Sequence, residues 1–179
     1  MERKERTFDV LGQLGSLRRY ARSLVRNAGE AEDLVHDALV KAYERKSSFR
    51  RGANLRSWLL SILHNAHIDR LRKNRSMTRR HDEVATEMET SVQAGQEHIV
   101  RLSQVRNAFF SLPEEQREAL HLVAIEDLSY QEAASALGIP IGTMMSRISR
   151  ARAYLRDFEN KAAAASHLRL ISGDGHDNS

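Results

Sequence analysis

The chain has 179 residues, 41% of them hydrophobic and 29% charged, a composition that suits a soluble globular protein with room for one domain or two small ones. It contains no cysteine, which excludes disulfides, thiolate metal sites and a thiol nucleophile. No run approaches the roughly 18 apolar residues of a membrane span, and the opening MERKERTFDV lacks an apolar signal core, so a cytoplasmic location is expected. The net charge of +4 conceals a segregation: residues 1–81 hold 19 Lys and Arg against 9 Asp and Glu, residues 82–127 hold 3 against 10, and residues 128–179 hold 6 against 5. A basic first segment and a late cluster of arginines suit nucleic acid as a partner.

Helical periodicity dominates the chain. From Ala31 to Glu44, the apolar residues Leu34, Val35, Ala38, Leu39 and Ala42 share one helical face. Leu55, Trp58, Leu59, Ile62, Leu63 and Ala66 make a second such face, opposite a polar side of Asn65, Asp69, Arg72 and Lys73 that suits a nucleic-acid backbone or base edge. The spacing of Trp58 with Ile62 and Ala66 reads as core, although an aromatic beside single-stranded DNA could instead stack.

The same segment contains HNAHID, in which His64, His67 and Asp69 invite a metal or nuclease reading. At about 100° per residue the three side chains do not converge on one point of a helix, and the sequence offers no second ligand cluster. No metal, cofactor or catalytic residue is therefore assigned. Lys73 to Glu97 carries few large apolar residues and turns from basic to acidic, as a linker does, whether flexible or weakly helical. Ile99, Leu102, Val105, Phe109 and Leu112 then predict another helix with a buried stripe, and the segment after Lys161 reads as a frayed tail. No stretch alternates as strands do. The expected fold is all-α, with two small helical domains over residues 8–75 and 98–160, a flexible linker over 76–97 and a tail over 161–179.

The strongest local signal runs from Leu128 to Arg156. Ser129 and Glu132 form a capping box that opens a helix through Ala133, Ala134 and Leu137. Gly138 supplies a positive φ for a tight turn, and Pro140 stops the first helix from continuing. Thr143 is expected to cap a second helix whose inner face is Met144 or Met145, Ile148, Ala151 and Leu155. This is helix-turn-helix spacing, which would aim Ser146, Arg147, Ser149 and Arg150 at bases and phosphates of a major groove. An ordinary helical hairpin with a solvated arginine face is the alternative; caps, turn and charge agree on the former.

Two stretches carry a family resemblance. AEDLVHDALVKAYERKSSFRRGANLRSWLLSILHNAHIDRLRK resembles region 2 of the extracytoplasmic-function sigma factors, through Glu32, Asp33 and Leu34, Phe49 and Gly52, Trp58 and Leu59, and Asn65, Asp69 and Arg72. LPEEQREALHLVAIEDLSYQEAASALGIPIGTMMSRISRARAYLR resembles region 4 of the same family. The resemblance implies a promoter-specificity subunit that is not an enzyme, with core RNA polymerase, promoter DNA and an anti-sigma factor as partners.

By the same resemblance, Asp33, Leu34 and Asp37 would dock on the clamp of the polymerase β′ subunit. Phe49, Arg51, Asn54, Asn65, Asp69 and Arg72 would handle the −10 element, and the acidic linker would run toward the RNA exit path. Thr143, Met145, Ser146, Arg147, Ser149 and Arg150 would read the −35 element. Met145 departs from the family's usual GTVKSR, which has a lysine there; a thioether can touch a thymine methyl but offers no cation. A sigma-like decoy that binds an anti-sigma factor without touching DNA is the rival reading. Arg147, Arg150 and Arg152 argue against it, since a decoy has no use for them. A tethered pair of regions is also expected to fold against itself or around an inhibitor.

Overall fold

Asparagine side chains set the starts of two of the three helices in the first half of the chain. Leu14–Leu24 forms α1, and Asn27 then accepts the Glu30 N–H at 3.0 Å to open α2, Ala28–Glu44. Asn54 does the same for α3, Leu55–Thr78, accepting the Ser57 N–H at 3.2 Å. The structure, a computed structural model, describes residues 8–78 and 98–171. The second stretch holds α4, His98–Ser111; α5, Glu114–Ala124; α6, Tyr130–Leu137; and α7, Ile141–Ile171. No strand occurs among the described residues, so the fold is all-α as expected.

Two boundaries and one buried stripe differ from the expectation. Helix α3 continues to Thr78, so the first residues assigned to the linker are helical, and the rest of that linker, residues 79–97, lies outside the described residues. Helix α7 continues to Ile171 through most of the expected tail; its run of Ala162 to Ala165 is strongly helix-forming and contains no stop signal. The rest of that tail, residues 172–179, lies outside the described residues. The expected stripe on α4 is only half buried. Leu112 and Phe109 pack with Leu120, Ala151 and Leu155, whereas Leu102 and Val105 are 69% and 56% exposed. Periodicity marks a face, but α4 is covered by α7 only toward its C-terminal end.

The core does not divide where the two sequence signatures do. Leu17, Tyr20, Leu34, Leu59, Leu60 and Leu63 fill the space between α1, α2 and α3, and the same cluster runs on through Leu122, Leu128, Ala134, Leu137, Met144 and Ile148. Helix α1 packs on α5, and α3 packs on α6. The two helical units are therefore closed on each other, an arrangement favoured because units of this size bury little apolar surface alone.

In the helix-turn-helix, both halves of the capping box form: the Ser129 N–H donates to Glu132 at 2.9 Å and the Glu132 N–H donates to Ser129 Oγ at 3.2 Å. Gly138 ends α6 at φ 64°, and the Ile139 N–H reaches back to the Ala134 carbonyl at 3.0 Å. Thr143 is not the cap of the next helix. Helix α7 starts three residues earlier than a Thr143 cap implies, at Ile141, with Pro140 in the cap position accepting the Met144 N–H on its carbonyl at 3.1 Å. Met144, not Met145, is the inward methionine.

Gly138 and Gly142 make a paired test of this turn. An added Cβ meets nothing within 4 Å at either position, but only Gly138 has a positive φ. Gly138→Ala should cost roughly 1–2 kcal/mol in urea unfolding, while Gly142→Ala, inside a helix, should be neutral or stabilising by up to about 1 kcal/mol. Equal midpoints for the two variants would refute the left-handed turn.

Candidate nucleic-acid interface

Helix α7 has two contrasting sides over its first turns. Met144, Ile148 and Ala151 are buried against α5 and α6, which turns Met145, Ser146, Ser149 and Arg150 outward to solvent. Thr143 and Arg147 are half-buried at the edge of that outward face, and an Arg147 guanidinium nitrogen lies 3.1 Å from Glu115 of α5. Five donors in a planar fork remain a good match for guanine or phosphate even when one is shared, whereas Arg150 is presented without such a clamp.

Helix α3 also presents a polar row. Asn65, Asp69 and Arg72 are spaced four and three residues apart, so they share one face, and all three are exposed. Lys41 of α2 donates to Asp69 at 2.9 Å, and this hydrogen bond, followed by the lysine's charge, holds the Asp69 carboxyl below its usual range. The loop that precedes α3 is fixed by aromatics. Phe49 and Trp58 stack at 5.2 Å between ring centroids, and Phe8 lies 5.8 and 6.0 Å from each. Trp58 is half-buried, packed on the core on one side and on Phe8 and Phe49 on the other, while Arg51 is exposed. Asn54 is engaged twice: besides capping α3, its amide donates to Glu132 of α6 at 2.7 Å.

On α2, Asp33 is exposed and Asp37 is held by Arg70 through contacts of 3.0 and 2.6 Å. Leu34 is fully buried. It supports the helix from inside rather than presenting a side chain to a partner, because its position falls on the apolar stripe that faces α1 and α3.

A buried carboxylate that periodicity did not mark ties the two halves together. Asp127 adopts φ 56°, a left-handed conformation that aspartate tolerates, and the resulting turn after α5 directs Glu126 inward to 0% exposure. Ser16 and Arg19 of α1 both donate to it, Arg19 through two nitrogens at 3.0 and 2.9 Å, and His121 Nε2 lies 3.2 Å away. Arg56 of α3 binds the Glu126 main-chain carbonyl at 3.1 Å. A second cross-link places buried Arg117 of α5 on the Ser23 carbonyl of α1 at 2.8 Å. The one sequence signal for this hub was a pair of carboxylates, Glu126 and Asp127, between the apolar Ile125 and Leu128.

The helix-turn-helix, with its arginine-bearing outer face, and the polar face of α3 define a nucleic-acid-binding protein of the sigma type. Residues 13–77 match the Sigma-70 region 2 family and residues 102–155 match the Sigma-70 region 4 family. The ECF RNA polymerase sigma factor EcfG of Rhodopseudomonas palustris is 40% identical over 147 residues, covering 82% of this chain and 81% of that protein. SigM of Mycobacterium tuberculosis, another ECF RNA polymerase sigma factor, is 35% identical over 139 residues, covering 78% of this chain and 69% of that one. Among solved structures, the sigma factor RpoE of Bartonella quintana in complex with the anti-sigma factor NepR superposes with a TM-score of 0.73 at 36% identity, covering 84% of this chain and 94% of that one. CnrH bound to the cytosolic domain of CnrY superposes at 0.61 with 26% identity, covering 85% of each chain. The chain belongs to the ECF RNA polymerase sigma factors, which are transcription factors and not enzymes. Among the described residues, no helix is long and apolar enough to cross a membrane.

Glu126 makes the closed packing pH-dependent. Burial alone would raise its carboxyl, but hydrogen bonds from His121, Arg19 and Ser16, with the Arg19 charge, outweigh burial and bring it from 4.5 to about 2. A depressed folded-state value contributes stability that is present above about pH 4.5 and is lost as pH falls toward about 2. That displacement corresponds to something on the order of 3 kcal/mol. Glu126→Gln should therefore lower stability at neutral pH and flatten the acid limb of a pH series of urea unfolding curves; an unchanged acid limb would show that the carboxylate's charge is not what joins α1 to α5.

Proposed function

We propose that this chain is an alternative sigma factor that binds core RNA polymerase and directs initiation at promoters by recognising both a −10 and a −35 element. The observation that carries this reading is the division of α7: Met144, Ile148 and Ala151 anchor it, and the opposite side offers Met145, Ser146, Ser149 and Arg150 at the start of a helix-turn-helix recognition helix. Arg147 and Thr143 flank that surface. The −10 element would be met by Asn65, Asp69 and Arg72 on α3 with Arg51 and Asn54 of the preceding loop. Phe49 shapes that loop through its aromatic packing. An exposed amide such as Asn65 offers both a donor and an acceptor to an unstacked base, and basic neighbours hold the backbone.

Docking on the β′ clamp falls to the outer side of α2, where Asp33 is exposed and Asp37 is oriented by Arg70. An anti-sigma factor as a further partner is supported by the relative solved with the anti-sigma factor NepR. Such regulation would act in the cytoplasm. The closed packing supports it as well, since Asn54 is occupied by Glu132 until the two halves separate.

Reconstitution tests the reading. The purified chain added to core polymerase should initiate from promoter fragments selected by binding, and Arg150→Ala should weaken binding to the −35 duplex by about 5- to 150-fold, the equivalent of roughly 1–3 kcal/mol. Asn65→Ala should leave duplex binding intact and slow promoter opening. Binding of an anti-sigma partner with no initiation from any selected promoter would replace this reading with that of a decoy.

A further inference from the structure

The two histidines of HNAHID lie on the inner side of α3, against carboxylates almost fifty residues away in sequence. His67 Nε2 is 2.7 Å from Glu114 Oε1, and ligand atoms of His67, Glu114 and Glu118 all lie within 4.8 Å of one another. Glu118 is only 5% exposed, and its Oε1 receives no hydrogen bond from the described residues. The group facing that oxygen is His64 Nδ1 at 3.5 Å, which is also 3.5 Å from the Tyr20 hydroxyl. Tyr20 offers no charge to compensate: burial first, then the charges of Glu118 and Glu114, push its pKa well above the usual range, so the phenol stays neutral. A buried carboxylate, Glu118, thus sits beside an exposed one, Glu114, with one oxygen of the buried group unsatisfied among the described residues. Buried carboxylates persist when they are paired or hold a metal.

We propose that His67, Glu114 and Glu118 form a divalent transition-metal site, best matched to zinc, that clasps α3 to α5. One imidazole and two carboxylates supply three protein ligands, and a solvent molecule can complete a tetrahedron on the side where Glu114 is exposed. Calcium and magnesium are poorer matches because they favour all-oxygen shells. Zinc bonds of about 2.0–2.1 Å require ligand atoms about 3.3 Å apart, so the 2.7 Å contact between His67 and Glu114 has to open slightly while the wider spacings, up to 4.8 Å, close. The exposed Glu114 side chain has the freedom to make that movement. His64 would orient Glu118 from outside the shell. Asp69 takes no part, since it is turned away onto Lys41.

The ligands come from both halves of the chain, so the ion would bind the closed form selectively and shift the population toward it. That state keeps Asn54 on Glu132. Neither the site nor its test depends on promoter recognition.

The test uses the full chain after treatment with a chelator. Because the sequence has no cysteine, Glu44→Cys and Asn160→Cys introduce two unique labels, one on each half, for distance measurement. Calorimetry should find one zinc per chain at micromolar affinity or tighter, with a raised melting temperature and a narrower, shorter label distance. Glu114→Gln, at an exposed position where folding is safe, should weaken binding at least tenfold and abolish the distance change, as should His67→Gln and Glu118→Gln. His36→Gln, on the exposed side of α2, should change nothing. Absence of zinc uptake would overturn the proposal. So would uptake of the same strength in the Glu114 and His67 variants, which would place the ion on surface histidines. Closure that follows pH alone and ignores zinc would replace the metal with a protonated histidine.

Discussion

A single buried carboxylate determines how the two halves of this sigma factor meet. Glu126 has lost all contact with water and is surrounded by Ser16, Arg19 and His121, while Arg56 takes its main-chain carbonyl. Three helices, α1, α3 and α5, therefore converge on one residue. A buried ion pair adds little to stability when compared with a well-packed apolar alternative, but leaving one partner unpaired is severe. Glu126 consequently acts less as glue than as a key. A shift of α1 along α5 would leave this carboxylate buried without Ser16 and Arg19.

That key constrains what the surfaces outside can do. The exposed row on α3 and the exposed row on α7 each depend on an opposite face that is buried in the shared core. Loss of the closed packing would therefore cost each half part of its apolar contacts while freeing Asn54 from Glu132. A partner that opens the chain has to replace what Leu17, Leu60, Leu122 and Leu137 lose in contact. Large protein or nucleic-acid surfaces can do so, whereas small ligands bury too little area. This supports the proposal that the partners of this chain are macromolecules, core polymerase, promoter DNA and an anti-sigma factor.

What could be read in the sequence was what is local. The capping box of Ser129 and Glu132, the left-handed Gly138 and the stripes on α2 and α3 depend on neighbours within one or two turns, and each formed as expected. Most errors came where a tertiary partner decides. Leu102 and Val105 lie on a helical stripe that no described residue buries, and Leu34 stands in a motif associated with an interface yet points into the core. The cap at Thr143 was a local miss, since Pro140 three residues earlier already opens that helix. Glu126 left almost no trace, because its partners Ser16 and Arg19 are more than a hundred residues away.

The HNAHID stretch shows why one helix can serve two purposes that seemed to exclude each other. At about 100° per residue, His64 and His67 fall within one sector and Asn65, Asp69 and Arg72 fall within another. The first sector meets Glu114 and Glu118 across the interface; the second faces solvent. A metal reading and a DNA reading therefore compete only while the helix is considered alone. Failure of His64, His67 and Asp69 to converge argues against a site within α3, but says nothing of ligands brought by α5. Once α5 is in place, the inner sector is the one that senses whether the two halves are together, and the outer sector is the one that any promoter has to reach. Both sectors ride on the same rigid helix, so a change in closure cannot occur without altering what surrounds the loop that leads into Asn65. Coupling between regulation and DNA contact then needs no long pathway, only the two sides of α3.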